Sequence, residues 1–115
     1  MDGIVTAADL ESIASAWLDR LAAALSADSP EPLADLFARE CHWRDLLAFQ
    51  WDLRTASGAD AIAARLLPLA RAAHPRQFAL AEGRTRPRAV MRAGSEALEV
   101  IFTFETDTGP CNGVV

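Results

Sequence analysis

The residues best suited to catalysis lie close together, in a short segment where His42 and Asp45 flank Trp43 and Arg44. A carboxyl group in an apolar pocket has its pKa raised toward neutrality, and a group that titrates there can act as a general acid or base. Asp45 and His42 are therefore the candidate catalytic residues. Because successive side chains of a strand point to opposite faces, Asp45 is expected to share a face with Trp43, and His42 with Arg44. This placement favours a structural role for Asp45, paired with a backbone N–H or an arginine, over a shared His–Asp site.

A second set of residues is suited to binding an apolar ligand. The aromatic side chains that are candidates for lining a pocket are Trp17, Phe37, Trp43, Trp51 and Phe102, followed by Phe49 and Phe104. Aromatic residues at helix and strand spacing are core residues in most proteins, so we expect two or three of these to touch a cavity.

Other kinds of site lack the residues that they require. His42 and His74 lie far apart in the sequence and do not suggest a metal site. Cys41 and Cys111 have no zinc-ligand spacing. Two free thiols are the preferred interpretation, and a disulfide between them is the alternative. The six glycines never form the GxGxxG loop that cradles a dinucleotide. We expect no metal and no cofactor to be held by residues of this chain.

Length and charge narrow the class of protein. A chain of 115 residues, 51% of them hydrophobic, predicts a single domain spanning 1–115. A net charge of −5 argues against binding to nucleic acid or to an anionic membrane surface. The arginines of segment 84–92 are interpreted as a solvated strand face. With no basic leader and no membrane-spanning apolar run, a cytoplasmic protein is expected.

The hydrophobic pattern predicts two helices, a pair of short strands, a third helix and then three or four antiparallel strands. A long helix over 6–25 places Ile13 and Leu18 on one apolar stripe, with a cap at Thr6 and Asp9. A short helix capped by Ser29 follows, and a third helix covers 59–73, where Pro68 is expected to kink it or end its regular part. The predicted strands are 41–45, 48–55, 77–82, 86–92 and 97–105, followed by a returning strand near Gly113.

This order predicts an α+β fold in which three N-terminal helices pack on one face of a curved, mostly antiparallel sheet. A bent sheet wrapped around a long helix leaves a cavity at its open end, where small molecules bind in folds of this type.

The segment 43–55, WRDLLAFQWDLRT, is followed by Gly58 and a helix. It resembles the NTF2-like (SnoaL-like) domain that precedes the flavin domain in flavin-containing monooxygenase-like proteins. The resemblance implies a cone-shaped fold and a longer parent protein with FAD-binding and NADPH-binding domains, relative to which this chain is truncated at its C-terminus.

Two functions are expected on these grounds. The first is a non-catalytic NTF2-like binding or assembly domain of a flavin-dependent monooxygenase, an FAD/NAD(P)H oxidoreductase, which dimerises or packs against the flavin domain. The alternative is a stand-alone SnoaL-like isomerase, cyclase or dehydratase, in which Asp45 and His42 move protons on an apolar small molecule.

Overall fold

A computed structural model of the chain describes residues 6–38, 41–44, 49, 55–92 and 94–115. Within these residues there are three helices: α1 (Ala7–Leu25), α2 (Glu31–Ala34) and α3 (Ala59–Ala73). The strands are β1 (His42–Arg44), β2 (Thr55–Ser57), β3 (Arg76–Leu80), β4 (Arg88–Arg92), β5 (Ser95–Glu99), β6 (Ile101–Thr106) and β7 (Gly109–Val114). The predicted order of two helices, a strand pair, a third helix and then strands is confirmed, but five strands rather than three or four follow α3. Most of the predicted strand 48–55 lies outside the described residues.

Helix α1 begins with the predicted cap. The Thr6 hydroxyl accepts a hydrogen bond from the Asp9 N–H, and the Asp9 carboxylate accepts one from the Thr6 N–H, so two N–H groups of the first turn are satisfied reciprocally. Ala14, Leu18 and Leu21 face the core. The expectation for Ile13 was wrong: its side chain is 56% exposed, because one residue turns the helix by about 100° away from Ala14.

Helix α2 corrects one detail of the prediction, whereas α3 has its predicted bounds. Pro30, rather than Ser29, precedes α2, and it makes no side-chain cap. The single turn of α2 is held by Leu33, which is completely buried. Pro68 does not end α3, which continues to Ala73, and Ile62 and Leu66 lie on its buried face.

The strands of the described residues form three small antiparallel sheets rather than one large sheet. Strand β1 pairs with β2, β4 pairs with β5, and β6 lies between β3 and β7. The predicted single strand 97–105 was wrong, because Val100 separates β5 from β6. Val100 and Val115 instead exchange two backbone hydrogen bonds, of 2.7 and 2.9 Å. The chain therefore leaves one sheet and enters another at Val100.

Strand β7 forms an outer edge of its sheet and is longer than the returning strand that the sequence predicts. Because Val100 and Val115 form a hydrogen-bonded pair, the alternation of antiparallel pairing turns the N–H groups of Asn112 and Val114 outward. The backbone nitrogen of Pro110 also points outward, so its lack of an N–H removes no hydrogen bond to β6.

The α+β class with antiparallel sheets is confirmed, and the chain forms a compact globule of 44 × 30 × 25 Å. The expected three N-terminal helices on one curved sheet are not confirmed, since α3 follows the β1–β2 pair and no described sheet exceeds three strands. None of the described helices has the length and apolar character needed to cross a bilayer.

Candidate ligand-binding cavity

An open cavity of about 390 Å³ lies between α1, the turn after α2, strand β1 and the β3-β6-β7 sheet. This volume falls within the range of ordinary small-molecule sites. The aromatic part of the lining is Trp17, Phe37, Trp43, Phe49, Phe78, Phe102 and Phe104. The polar part is His42, Arg44, Arg84 and Asn112.

Four phenylalanines form one continuous wall of the cavity. Phe78 and Phe104 are stacked with ring centroids 5.1 Å apart, and Phe49 stacks on Phe104 at 5.5 Å. Phe102 lies two residues before Phe104 on β6, so strand alternation places both rings on one face, 5.8 Å apart. Strand β3 runs beside β6 and adds Phe78 to this face. Stacked rings at these distances stabilise each other beyond the area they bury, which gives the wall a fixed shape.

Gly113 provides the surface on which one of these rings rests. It is paired with Phe102 across β6 and β7, and a Cβ atom at Gly113 would overlap the Phe102 ring. The absence of a side chain at Gly113 therefore allows Phe102 to lie over the β7 backbone.

Trp17 and Phe37 close the helical side of the cavity. Their rings meet edge to face at 6.5 Å. The Trp17 indole N–H also donates to the Leu36 carbonyl oxygen at 3.5 Å, a long bond that joins α1 to the turn after α2. Both aromatic residues are thus positioned by elements that meet only in the folded chain.

His42 lies at the edge of the cavity and is oriented by a neighbouring strand. Its Nδ1 atom is 2.7 Å from the Ser57 hydroxyl oxygen, and the two residues are directly paired across β1 and β2. With Nδ1 engaged by Ser57, Nε2 is the ring nitrogen left for a ligand. Ser57 was not among the site residues predicted from the sequence.

The two arginines of the lining differ from two neighbouring arginines, Arg86 just before β4 and Arg88 at its start. Arg86 pairs with Glu11, and Arg88 pairs with Glu99 at 2.8 Å. Among the described residues, no carboxylate pairs with Arg44 or Arg84, and no acidic side chain lines the cavity. The charged side chains that line the cavity in the described part of the chain are therefore basic, although the chain as a whole carries a charge of −5.

The structure places the predicted site residues as follows. Trp17, Phe37, Trp43 and Phe102 line the cavity. His42 also lines the cavity, as does Arg44. The side chains of these two exposed residues share one face of β1, and the half-buried Trp43 lies on the other face. Asp45 and Trp51 lie outside the described residues.

Some lining residues were missed or interpreted differently. Phe78 lies two residues before Leu80 in a strand that the sequence predicts, so alternation was the signal that could have found it. Arg84 was expected to be only a surface residue, but it also lines the cavity. No sequence signal places Arg84 near β1, since that proximity arises only in the folded chain.

His74 lies outside the cavity and is the C-cap residue of α3. It adopts the left-handed conformation, with φ of 55°, and its N–H donates to the Ala70 carbonyl oxygen. Its Nδ1 also donates to Asp107 Oδ2 at 2.6 Å, while Arg76 donates to the other carboxylate oxygen at 2.9 Å. The hydrogen bond from His74, followed by that from Arg76, lowers the pKa of Asp107 below its ordinary 3.8. This contact ties the end of α3 to the β6–β7 turn.

Other reactive groups do not converge in the described residues. Cys41 and Cys111 are free thiols, both half-buried. No group of three or more histidine, cysteine, aspartate or glutamate side chains is arranged to hold a metal ion in that part of the chain.

No protein-family model matches the chain, and no curated protein is significantly similar to it in sequence. The function is therefore inferred from the cavity itself.

Proposed function

We propose that this chain is a binding domain for an apolar small molecule, built on the NTF2-like cone plan and non-catalytic by itself. The observation that supports the proposal is the aromatic cavity: seven aromatic side chains surround a volume of about 390 Å³. An aromatic wall offers a large apolar contact area with little loss of side-chain entropy, and the stacked rings are already in place before a ligand arrives.

The binding proposal is tested with N-phenyl-1-naphthylamine, an uncharged probe whose fluorescence rises in apolar surroundings. We expect saturable binding at one site per chain. The variant Val114→Trp enlarges an exposed residue at the cavity rim and should weaken binding by about fivefold or more, which corresponds to about 1 kcal/mol.

Ile13→Trp is the matched control, because Ile13 is similarly exposed but does not line the cavity. The binding proposal fails if the probe does not bind, or if both variants weaken binding equally.

The second candidate function is proton transfer, favoured by the position of His42 at the cavity with its Nδ1 atom held by Ser57. An imidazole fixed through one nitrogen can exchange a proton through the other, which is the requirement for an isomerase, cyclase or dehydratase. Asp45 would be the partner or the alternative base in such an enzyme.

This candidate is tested by following the conversion of a β,γ-unsaturated steroid ketone to its conjugated isomer by ultraviolet absorbance. Turnover should be lost in His42→Gln and reduced in Ser57→Ala. An enzyme is ruled out for this substrate class if the wild-type rate equals the uncatalysed rate.

Assembly through strand β7 is a further part of the first proposal. The outward N–H groups of Asn112 and Val114 and the 67% exposed Val114 side chain form a strand edge with which no other described strand pairs. A second copy, or the flavin domain of a monooxygenase-like parent, would add a strand there. FAD and NADPH would belong to the other domains, because Gly58, Gly83, Gly94 and Gly109 lie in separate turns and form no phosphate-binding loop.

Sedimentation velocity over a wide concentration range tests the homodimer. Asn112→Pro removes one outward N–H without removing a bond to β6, so it should shift a dimer toward monomer. A wild-type chain that stays monomeric throughout contradicts self-assembly.

A further inference from the structure

We propose that the cavity selects ligands that combine an apolar ring system with one anionic group, such as a carboxylate or a sulfonate. This inference deepens the proposed function and depends on it, since it names the class of small molecule that the aromatic cavity takes.

The lining of the cavity has an apolar part and a charged part. The deep part is formed by the buried Phe102 and Phe104 and the half-buried Phe78, and it offers no charged group. The rim carries Arg44 and Arg84, both exposed and contributed by distant segments of the chain. A ligand that fills the cavity therefore places its apolar body on the rings and its outer end beside guanidinium groups.

Arg44 and Arg84 differ from neighbouring arginines in whether a carboxylate pairs with them. Arg86 forms an ion pair with Glu11, and Arg88 forms one with Glu99. Among the described residues, Arg44 and Arg84 have no such partner. A guanidinium group presents a planar fork of donors that matches an oxyanion, so these two are available for a ligand.

The charge at the cavity differs in sign from the net charge of the chain. A chain with a net charge of −5 repels anions at long range, yet no acidic side chain among the described residues lines this cavity. The charged side chains described at the rim are thus positive, whereas the net charge of the protein is negative. Affinity for an anion at this rim should then depend on short-range contacts with Arg44 and Arg84 and be weakened by salt.

The experiment compares two probes with the same ring skeleton, N-phenyl-1-naphthylamine and 8-anilinonaphthalene-1-sulfonate, which differ by one sulfonate. We expect the sulfonate probe to bind more tightly to the wild-type chain. Arg44→Gln and Arg84→Gln should each weaken the sulfonate probe by about three- to tenfold, and leave the uncharged probe within about twofold.

Arg20→Gln is the matched control, because it removes the same charge from an exposed position on α1 that does not line the cavity. It should leave both affinities nearly unchanged. The wild-type chain alone provides a further test: about 0.5 M NaCl should weaken binding of the sulfonate probe but not of the uncharged probe.

The outcomes separate this inference from the proposal beneath it. If the uncharged probe binds in the cavity but the sulfonate probe binds no more tightly, only the anion selectivity is overturned. The same holds if the double variant of Arg44 and Arg84 weakens the sulfonate probe no more than Arg20→Gln. Failure of the uncharged probe to bind overturns the binding function itself.

Discussion

At the scale of single residues, Gly113 is the position where the cavity wall has least room for change. Its neighbour across the sheet, Phe102, covers the place where a Cβ atom would lie. Phe102 cannot easily withdraw, because it packs against Phe78 and Phe104.

Gly113→Ala is therefore expected to destabilise the protein by about 1–3 kcal/mol, through displacement of the Phe102 ring. Urea unfolding measures the change. Asn112→Ala, at the neighbouring exposed position of β7, should change the unfolding free energy by less than about 0.5 kcal/mol. Equal effects of the two variants would show that the ring adjusts without cost.

We expect Asp107 to make the stability of the fold depend on pH. Its pKa is lowered in the folded protein by hydrogen bonds from His74 and Arg76, so the carboxylate stabilises the fold above the unfolded pKa of about 3.8. That contribution is lost as the pH falls through the lower pKa of the folded state.

Asp107→Asn should consequently be less stable than the wild type at neutral pH, and the difference should shrink as the solution becomes more acidic than pH 3.8. Urea unfolding at a series of pH values measures it. Asp19→Asn removes a charge from an exposed position on α1 and serves as the control. A difference that does not vary with pH would contradict the role of this carboxylate.

Among the cavity residues, sequence pattern could place the aromatic side chains but not the polar rim. Trp17, Phe37 and Phe102 lie at helix and strand positions whose burial follows from periodicity. Ser57 and Arg84 reach the site through the pairing of β2 with β1 and through the path of the chain after β3, which no local signal encodes.

At the scale of elements, the helices are the best-predicted part of the fold because their signals are local. A reciprocal cap at Thr6 and Asp9 marks the start of α1, and Gly58 precedes the start of α3. The division of β5 from β6 has no such signal. Leu98, Val100 and Phe102 keep the same alternation across it, and only the partner strands change.

Thr6→Ala is expected to destabilise α1 by about 1 kcal/mol, because the Asp9 N–H loses its acceptor. Thr6→Ser keeps the hydroxyl and should retain most of the stability. Urea unfolding of both variants measures the cap, and an equal loss in the two would mean that the hydroxyl contributes nothing.

At the scale of the whole molecule, packing is concentrated in one region. Leu18, Leu33 and Ile62 are almost completely buried, and the phenylalanine wall of the cavity joins the same core. The β4–β5 ribbon is different, since most of its described side chains are exposed, including Met91 at 63%.

The change of sheet at Val100 therefore also separates two levels of protection against local unfolding. The ribbon can open while β6 keeps its bonds to β3 and β7, so its amide hydrogens should exchange with solvent deuterium well before those of Phe102 and Phe104. Hydrogen exchange resolved by NMR measures the order. If the ribbon and β6 exchange together, the two form one cooperative unit. If the ribbon exchanges first, then Arg84, which precedes β4 in the chain, lies beside a segment that opens while the cavity stays folded.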